Sequence, residues 1–253
     1  MKVTFLGTGT SQGVPVIGCD CEVCQSLDYR DKRLRSSVHL EVNNQSIVID
    51  TGPDFRQQML RERTQKLDFV LFTHSHKDHT AGLDDVRAFN FKQNMDMPLY
   101  GTAQVLHQLK TEYYYAFLEK KYPGTPQLQL NEINEDPFQV SGIKITPLPV
   151  VHLHMPVLGF RIGGFSYITD AKHIPDETFM RLKGTKVFVL NALQRETHIA
   201  HFNLEEAIAV AQKVGAEKSY FTHVSHKMGL HCAVANELPP SIELAYDGLV
   251  ISA

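Results

Sequence analysis

The segment "THSHKDHT" brings together four side chains that can bind metal ions: His74, His76, Asp78 and His79. In an extended chain, residues i and i+2 point to the same side, so His74 and His76 can offer two imidazoles to one ion. The chain then turns, and Asp78 and His79 can serve a second ion. A mixture of imidazole and carboxylate ligands favours zinc, iron or manganese over calcium or magnesium. The alternative interpretation is a solvated, histidine-rich turn without a metal.

Further metal-competent residues follow apolar segments elsewhere in the chain. They are His152 and His154 after "KITPLPVV", Asp170 at the end of "FSYITD", His201 before "FNLEE", and His223 and His226 in "THVSH". Each of these on its own would be an ordinary loop residue. Their recurrence after predicted strands is informative, because parallel strands place their ends at one edge of a sheet.

Three of the four cysteines lie close together in "GCDCEVC" as Cys19, Cys21 and Cys24, whereas Cys232 is far away. A secreted disulfide framework would spread its cysteines along the chain, so this spacing favours metal ligation. A structural zinc takes four ligands, and the fourth is either Cys232 or a histidine. The alternatives are three reduced structural cysteines or a redox pair. If a histidine completes the site, we expect Cys232 to be a free, buried thiol.

The composition limits the classes of partner. The chain has 253 residues, 43% of them hydrophobic and 21% charged, with a formal net charge of −3. This balance argues against a general nucleic-acid or anionic-membrane binder, although a local basic patch stays open. No segment reaches the roughly 18 apolar residues of a membrane span, and "MKVTFLGTGTSQG" does not fit a secretory signal. We therefore expect a cytoplasmic protein without membrane or nucleic-acid partners.

The predicted elements place the histidine cluster at the end of a strand. Short strands are predicted over 3–6, 38–42 and 47–50, the last two joined by the turn "NNQ". A helix is predicted from Pro53 to Arg63, since proline is tolerated in a first helical turn. A buried strand over 67–73 then leads into His74. The segment from 84 to about 122 is predicted to be helical.

The second half of the chain alternates strands with helices. Strands are predicted over 143–147, 157–162, 165–169, 187–190 and 218–222, and helices over 175–182 and 204–214. Asn203 is the predicted N-cap of the last helix, with Glu206 three residues on. The C-terminal "SIELAYDGLVIS" is predicted to form a hairpin. Two sheets with helices outside them would fit this mixture.

The segment "THSHKDHTAG" resembles the His-x-His-x-Asp-His signature of the metallo-β-lactamase superfamily of binuclear hydrolases. The segments "GTGTSQGVP", "IDTGPD", "PLPVVH", "YITDAK", "AHFNLEEA" and "THVSH" follow in the order that this family has. "GCDCEVC" and "THVSHKMG" look like the PhnP-like phosphodiesterase branch. The resemblance implies an α+β fold, a four-layer αββα sandwich of two packed mixed sheets flanked by helices. We expect one such domain over 1–253, with the site at one edge of the sheets.

The resemblance also implies ligand sets. One metal ion would be held by His74, His76 and His152, and a second by Asp78, His79 and His223, with Asp170 bridging the two ions. His154 is the alternative to His152. A structural zinc would be held by Cys19, Cys21, Cys24 and His226. Asp50, in "IDTG", is interpreted either as a carboxylate that orients a ligand imidazole or as a turn former.

The expected activity is that of a binuclear metal-dependent hydrolase. Two ions, zinc or manganese, would generate a bridging hydroxide that attacks a small cyclic or nucleotide-like phosphodiester, with Asp170 and His201 as the catalytic residues. His201 would stabilise transition-state charge or protonate the leaving oxygen, or else only cap the following helix. Arg35, in the basic run "YRDKRLRSS", is the candidate phosphate contact, although such a run is also typical of a solvated face.

Three other functions remain open at this point. They are a tRNA 3′-processing-type endonuclease, a non-hydrolytic member such as a cofactor-biosynthesis protein or an oxygenase, and a metal-binding module without activity. The first would need a basic arm that docks RNA, and no such arm is evident. The resemblance also implies a possible homodimer.

Overall fold

Strands rich in β-branched and aromatic residues form the framework. The computed structural model describes residues 1–253 and contains fourteen strands, which we number in chain order: β1 (Lys2–Gly7), β2 (Ser37–Val42), β3 (Gln45–Ile49), β4 (Phe69–Leu71), β5 (Met97–Gly101), β6 (Leu128–Glu132), β7 (Phe138–Val140), β8 (Ile143–His152), β9 (Met155–Ile162), β10 (Phe165–Tyr167), β11 (Val187–Asn191), β12 (Lys218–Thr222), β13 (Ile242–Leu244) and β14 (Val250–Ser252).

Eight α-helices connect or flank the strands: α1 (Glu22–Gln25), α2 (Phe55–Arg61), α3 (Lys77–Thr80), α4 (Arg87–Gln93), α5 (Ala103–Glu112), α6 (Asp176–Leu182), α7 (Leu204–Val214) and α8 (His231–Ala235). Short 3₁₀ turns lie at Tyr29–Asp31, Leu83–Val86, Tyr114–Phe117 and His226–Met228. None of the helices has the length and apolar character needed to cross a membrane.

The strands form two mixed sheets of seven. The first has the order β14-β1-β2-β3-β4-β5-β6, and the second has the order β13-β12-β11-β10-β9-β8-β7. In the first sheet β3 to β6 run parallel and the other neighbours antiparallel. In the second sheet β10 to β13 run parallel and the other neighbours antiparallel. This confirms the expected α+β fold with two packed sheets and flanking helices.

Three apolar clusters fill the spaces between the four layers. Inward-facing residues of both sheets, such as Leu40 and Phe160, form the layer between the sheets. The outer face of the first sheet packs on its helices through residues such as Phe55, and the outer face of the second through residues such as Phe188. Burial of each such side chain contributes about 1.5–3 kcal/mol. The central parallel strands β4 and β11 are therefore buried on both faces, which explains their short, continuous apolar sequences.

Several predicted elements are confirmed with small shifts. α7 and β12 have the predicted bounds, and Asn203 caps α7 reciprocally with Glu206, through bonds of 2.9 and 3.0 Å. The turn between β2 and β3 has positive φ at Asn43 and Asn44, as a two-residue hairpin turn requires. α2 begins at Phe55 and ends at Arg61, two residues inside the predicted bounds at each end.

Two predictions about secondary structure were wrong. The segment 84–122 is not helical throughout, because Met97–Gly101 forms β5 between β4 and β6. Strands β6 and β7 were not predicted either, and their half-exposed sequences carry little periodic signal. The C-terminal segment is not a hairpin: β13 pairs parallel with β12 in the second sheet, whereas β14 pairs antiparallel with β1 in the first. A local turn motif cannot reveal that two neighbouring strands join different sheets.

Candidate functional site

The carboxyl ends of several strands meet at one edge of the two sheets, and the predicted site residues lie there. Asp50 directly follows β3, His152 ends β8 and His223 directly follows β12. Asp50, Asp170 and His223 have left-handed backbone conformations, with φ of +66°, +56° and +57°. Such a conformation costs about 1–3 kcal/mol, and it lets the chain turn sharply as it leaves the strand. Asp and His tolerate it better than most residues.

One group of converging side chains consists of Asp78, His79, Asp170 and His223, whose ligand atoms lie within 4.8 Å of one another. The Oδ1 atom of Asp170 is 3.1 Å from His223 Nδ1 and 3.5 Å from His79 Nε2. Asp78 Oδ2 is 3.2 Å from His79 Nε2. These four side chains are at most 10% exposed.

A second group consists of His74, His76 and Asp170. Here the other carboxylate oxygen of Asp170, Oδ2, is 3.6 Å from His74 Nε2. His152 lies beside this group, with its ring centroid 5.2 Å from that of His76, and its ligand atom converges with those of Asp170 and His201. Asp170 thus faces one group with each of its two oxygens.

The orientation of the imidazoles leaves unpaired nitrogen atoms inside the site. His79 Nδ1 donates to Asp50 Oδ2 at 2.7 Å, and His152 Nδ1 donates to the carbonyl of Ala200 at 2.8 Å. The opposite nitrogen of His79, Nε2, is buried without a hydrogen-bond partner, as are His74 Nε2 and His223 Nδ1. An unpaired buried polar atom costs about 1–3 kcal/mol, and divalent cations would satisfy all three. Together with the two carboxylates, this donor set fits a pair of metal ions.

Two threonines that the sequence analysis did not single out hold this arrangement. Thr73 donates its backbone N–H to Asp50 Oδ1 and its hydroxyl to Asp50 Oδ2, and the same hydroxyl is 2.9 Å from His74 Nδ1. The Thr10 hydroxyl lies 3.4 Å from His223 Nε2. The available signal was a threonine directly before His74 and a hydroxyl-rich N-terminal loop, and neither is specific.

The buried carboxylates of the site favour positive charge beside them. Burial opposes protonation of His79, but the surrounding carboxylates outweigh burial and raise the pKa of His79 well above its ordinary value. Burial likewise disfavours ionised Asp170, yet His223 and His79 hold the pKa of that carboxyl well below its usual range. The carboxylates therefore favour positive charge inside the site, which divalent cations would supply.

His201 lies next to both groups, on the loop that precedes α7. Its ring centroid is 4.5 Å from that of His152 and 4.9 Å from that of His223. Burial lowers its pKa to about 3, so the imidazole is neutral near pH 7. Its Nδ1 atom is buried without a partner. His201 is thus positioned as a neutral polar group that faces the centre.

The cysteine cluster forms a separate group with His226. The Sγ atoms of Cys19, Cys21 and Cys24 lie 3.3, 3.4 and 3.6 Å from His226 Nδ1. Tetrahedral zinc, with Zn–S near 2.3 Å and Zn–N near 2.0 Å, places its ligand atoms about 3.3–3.8 Å apart. A backbone N–H from Cys24 lowers the pKa of the Cys21 thiol to about 6, whereas burial raises that of the Cys24 thiol to about 11, so Cys21 is the cysteine poised as a thiolate before metal binds. The four side chains therefore fit one tetrahedral ion.

Cys232 does not belong to this cluster, and the expectation that it is buried was wrong. It is an exposed free thiol on α8. In that helix His231 and Val234 occupy the buried face, which leaves the neighbouring position in solvent. His154 is also exposed and lies outside every group of converging ligand atoms, so His152 rather than His154 reaches the centre.

Arg35 already has an acidic partner. Its Nε atom is 3.0 Å from Asp54 Oδ2, and its backbone N–H donates to the same oxygen at 2.8 Å. The side chain is 26% exposed and lies beside Gly13 of the N-terminal glycine-rich loop. A phosphate contact by Arg35 would have to share the guanidinium with Asp54.

Comparisons with known proteins agree with this fold. The family described as "Beta-lactamase superfamily domain" matches residues 45–224, and the chain belongs to this superfamily. A solved structure of a diphosphatase from the PhnP family is 39% identical and superposes with a TM-score of 0.93, covering 99% of this chain and 96% of that one. Within the metallo-β-lactamase superfamily, the chain is therefore a member of the PhnP-like branch.

Two curated relatives carry other names. An octanoyltransferase from Porphyromonas gingivalis is 40% identical over 252 residues, which is 98% of this chain and 51% of that protein. A ribonuclease Z from Staphylococcus epidermidis is 26% identical over 170 residues, which is 64% of this chain and 49% of that protein. The chain thus spans about half the length of the curated relatives that it matches.

Proposed function

We propose that this protein is a binuclear metal-dependent phosphodiesterase that hydrolyses small cyclic or nucleotide-like phosphodiesters. The observation that carries the proposal is the Asp170 carboxylate, which directs Oδ1 towards one group of imidazoles and Oδ2 towards another. Two divalent ions held there, zinc or manganese, would lower the pKa of a bound water and polarise the phosphoryl oxygens. The cysteine cluster would hold a third ion, a structural zinc.

The protein side chains would position the substrate and stabilise developing charge. His201 is neutral and lies beside both ligand groups, so it can donate an N–H to an oxygen on phosphorus as negative charge builds up. Asp50 and Thr73 hold the imidazoles of His79 and His74 in the tautomers that leave Nε2 free. The chain thereby fixes the geometry before the substrate binds, which avoids reorganisation during the reaction.

Phosphorus chemistry is favoured over acyl transfer by the extent of similarity. The match with the diphosphatase of the PhnP family extends over nearly the whole length of both proteins. The chain spans only about half of the octanoyltransferase. The name of that protein therefore does not indicate that the matching half carries out acyl transfer. The net charge of −3 gives no general attraction to RNA, which disfavours a ribonuclease Z activity.

The test combines metal analysis with assays on bis(p-nitrophenyl) phosphate and a 2′,3′-cyclic nucleotide. We expect about three ions per chain and hydrolysis of both diesters. Asp170→Ala should abolish turnover and lower the metal content of the binuclear centre. Asp176→Ala is the matched control, because Asp176 lies fully exposed at the start of α6. A fully metal-loaded protein that hydrolyses neither diester would refute the proposal.

A further inference from the structure

A cleft of about 420 Å³ opens from the metal centre between the β8–β9 turn and the first turn of α5. Its wall includes His76 and His152, together with Gln104, Leu153, His154 and Met155. The volume is within the range of about 300–1,000 Å³ that is common for small-molecule sites. Since His76 and His152 also face the centre, a substituent of a molecule bound there can enter this cleft directly.

Leu153 is an unusual residue for its place in this wall. The turn between β8 and β9 consists of only Leu153 and His154, because His152 pairs with Met155. Leu153 has a φ of +55° in this turn. Glycine, asparagine or aspartate is the usual choice for such a backbone. Eight other non-glycine residues have positive φ, and all of them are polar: Asn43, Asn44, Asp50, Arg63, Asn94, Ser141, Asp170 and His223.

Folding does not account for this leucine. The residue is 47% exposed, and its side chain belongs to none of the apolar clusters of the core. The backbone is strained and the apolar surface lies in water, so both features oppose stability at this position. A strained, exposed aliphatic side chain at the edge of a reaction centre indicates contact with a ligand.

We propose that this cleft is a subsite for a nucleoside substituent of the diester, and that Leu153 determines the preference for it. The proposal rests on the phosphodiesterase function argued above and names its substrate class. Leu153 and Met155 offer apolar surface to the face of a base or sugar ring, and Gln104 and His154 offer hydrogen-bonding groups to its polar edge. A diester with only a methyl substituent would leave the cleft empty.

The experiment compares two diesters that release the same p-nitrophenolate: thymidine 5′-(p-nitrophenyl) phosphate and methyl p-nitrophenyl phosphate. We expect the metal-loaded protein to prefer the thymidine diester. In Leu153→Gly the ratio of the two kcat/KM values should fall roughly tenfold, as for the loss of a side-chain contact in a specificity pocket. Calorimetry should show a parallel loss of affinity for thymidine 5′-monophosphate relative to methyl phosphate.

Thermal unfolding separates this role from a structural one. Glycine accepts a φ of +55° freely, so Leu153→Gly should unfold at the same or a higher temperature while its selectivity falls. Ser141→Gly is the matched control: Ser141 has a φ of +50° in the turn at the opposite end of β8, away from the cleft. It should relieve the same backbone strain and leave the kcat/KM ratio unchanged.

The outcomes distinguish this inference from the proposed function. If the wild-type protein hydrolyses both diesters and Leu153→Gly keeps the wild-type ratio, the subsite is refuted and the phosphodiesterase activity stands. If the wild-type protein hydrolyses neither diester, the proposed function fails. The binding measurements with thymidine 5′-monophosphate then decide the subsite by themselves.

Discussion

The two oxygens of Asp170 divide the centre into halves that share one carboxylate. Three buried imidazoles around it, those of His74, His79 and His223, each use one nitrogen for a partner in the protein and turn the other inward. The hydrogen bond to one nitrogen fixes the tautomer of each ring. This is the usual arrangement of imidazoles that bind metal. The chemistry of the protein is therefore set by the hydrogen bonds behind the site as much as by the residues in it.

Removing the His201 imidazole should slow the reaction without emptying the site. We expect kcat of His201→Ala to fall by about 10²–10³-fold, the usual loss for one donor to transition-state charge. His201→Asn, which keeps an N–H donor, should recover part of that loss. Steady-state kinetics and metal analysis of the two variants check this. A loss of metal from His201→Ala would instead assign His201 to the ligand set.

The carboxylate of Asp50 should control metal affinity from behind His79. Asp50→Asn removes the negative charge that polarises the His79 N–H, and we expect the affinity for zinc to weaken by about 10–100-fold. Competition with a chromophoric chelator measures this change. Asp136→Asn, at an exposed position, is the control and should bind zinc as the wild type does. Equal affinities in all three proteins would assign Asp50 to the turn alone.

Strand ends, and the loops that leave them, are the elements that build the site. The loop between β11 and α7 carries His201, and it is held at its far end by the Asn203–Glu206 capping box. Lys172 Nζ also donates to Glu206, at 2.7 and 2.8 Å, which ties the start of α7 to the residues that follow Asp170. One helix start thus connects two loops of the centre.

Loss of this cap should be measurable as a loss of stability. Asn203→Ala removes the side-chain acceptor of the Glu206 N–H, and we expect the free energy of unfolding to fall by about 1 kcal/mol. Urea denaturation followed by circular dichroism gives this value. Gln212→Ala, on the exposed side of the same helix, should change it by less than about 0.5 kcal/mol. Equal effects of the two substitutions would argue against a capping role.

The cysteine cluster connects the N-terminal part of the chain to its C-terminal part. Cys24 and His226 are 202 residues apart in sequence, and their side chains meet beside the loop that carries His223. Arg33, which is buried, reinforces the same region by donating to Thr8 Oγ1 and to the carbonyl of Ala245. An ion held by the cluster would stabilise the native state by closing a very long loop.

Substitution in the cluster should therefore lower thermal stability more than catalysis. We expect Cys21→Ser to lose one zinc ion per chain and to unfold at a clearly lower temperature, while the protein that remains folded keeps turnover. Cys232→Ser replaces an exposed free thiol and should match the wild type in both respects. Calorimetric unfolding, metal analysis and a diester assay test this. Abolished turnover in a stably folded Cys21→Ser protein would contradict the separation of the two sites.

The sequence by itself determined the local features of this protein. The period-2 and continuous apolar patterns predicted most strands, the Asn203 cap fixed the start of α7, and the clustered ligand types marked the centre. These features depend on interactions within a few residues, and the sequence displays those directly. The resemblance of short motifs to a known family supplied the layer architecture and the grouping of ligands.

Only the tertiary structure decided which distant residues meet. Residues 97–101 form a strand because they pair with both β4 and β6 in the first sheet. The strands β13 and β14 separate because each lies at the edge of a different sheet. The exposure of Cys232, the partner of Arg35 and the cleft beside Leu153 likewise depend on neighbours far away in sequence. Long-range packing sets these features, and a one-dimensional pattern carries no record of which surfaces come into contact.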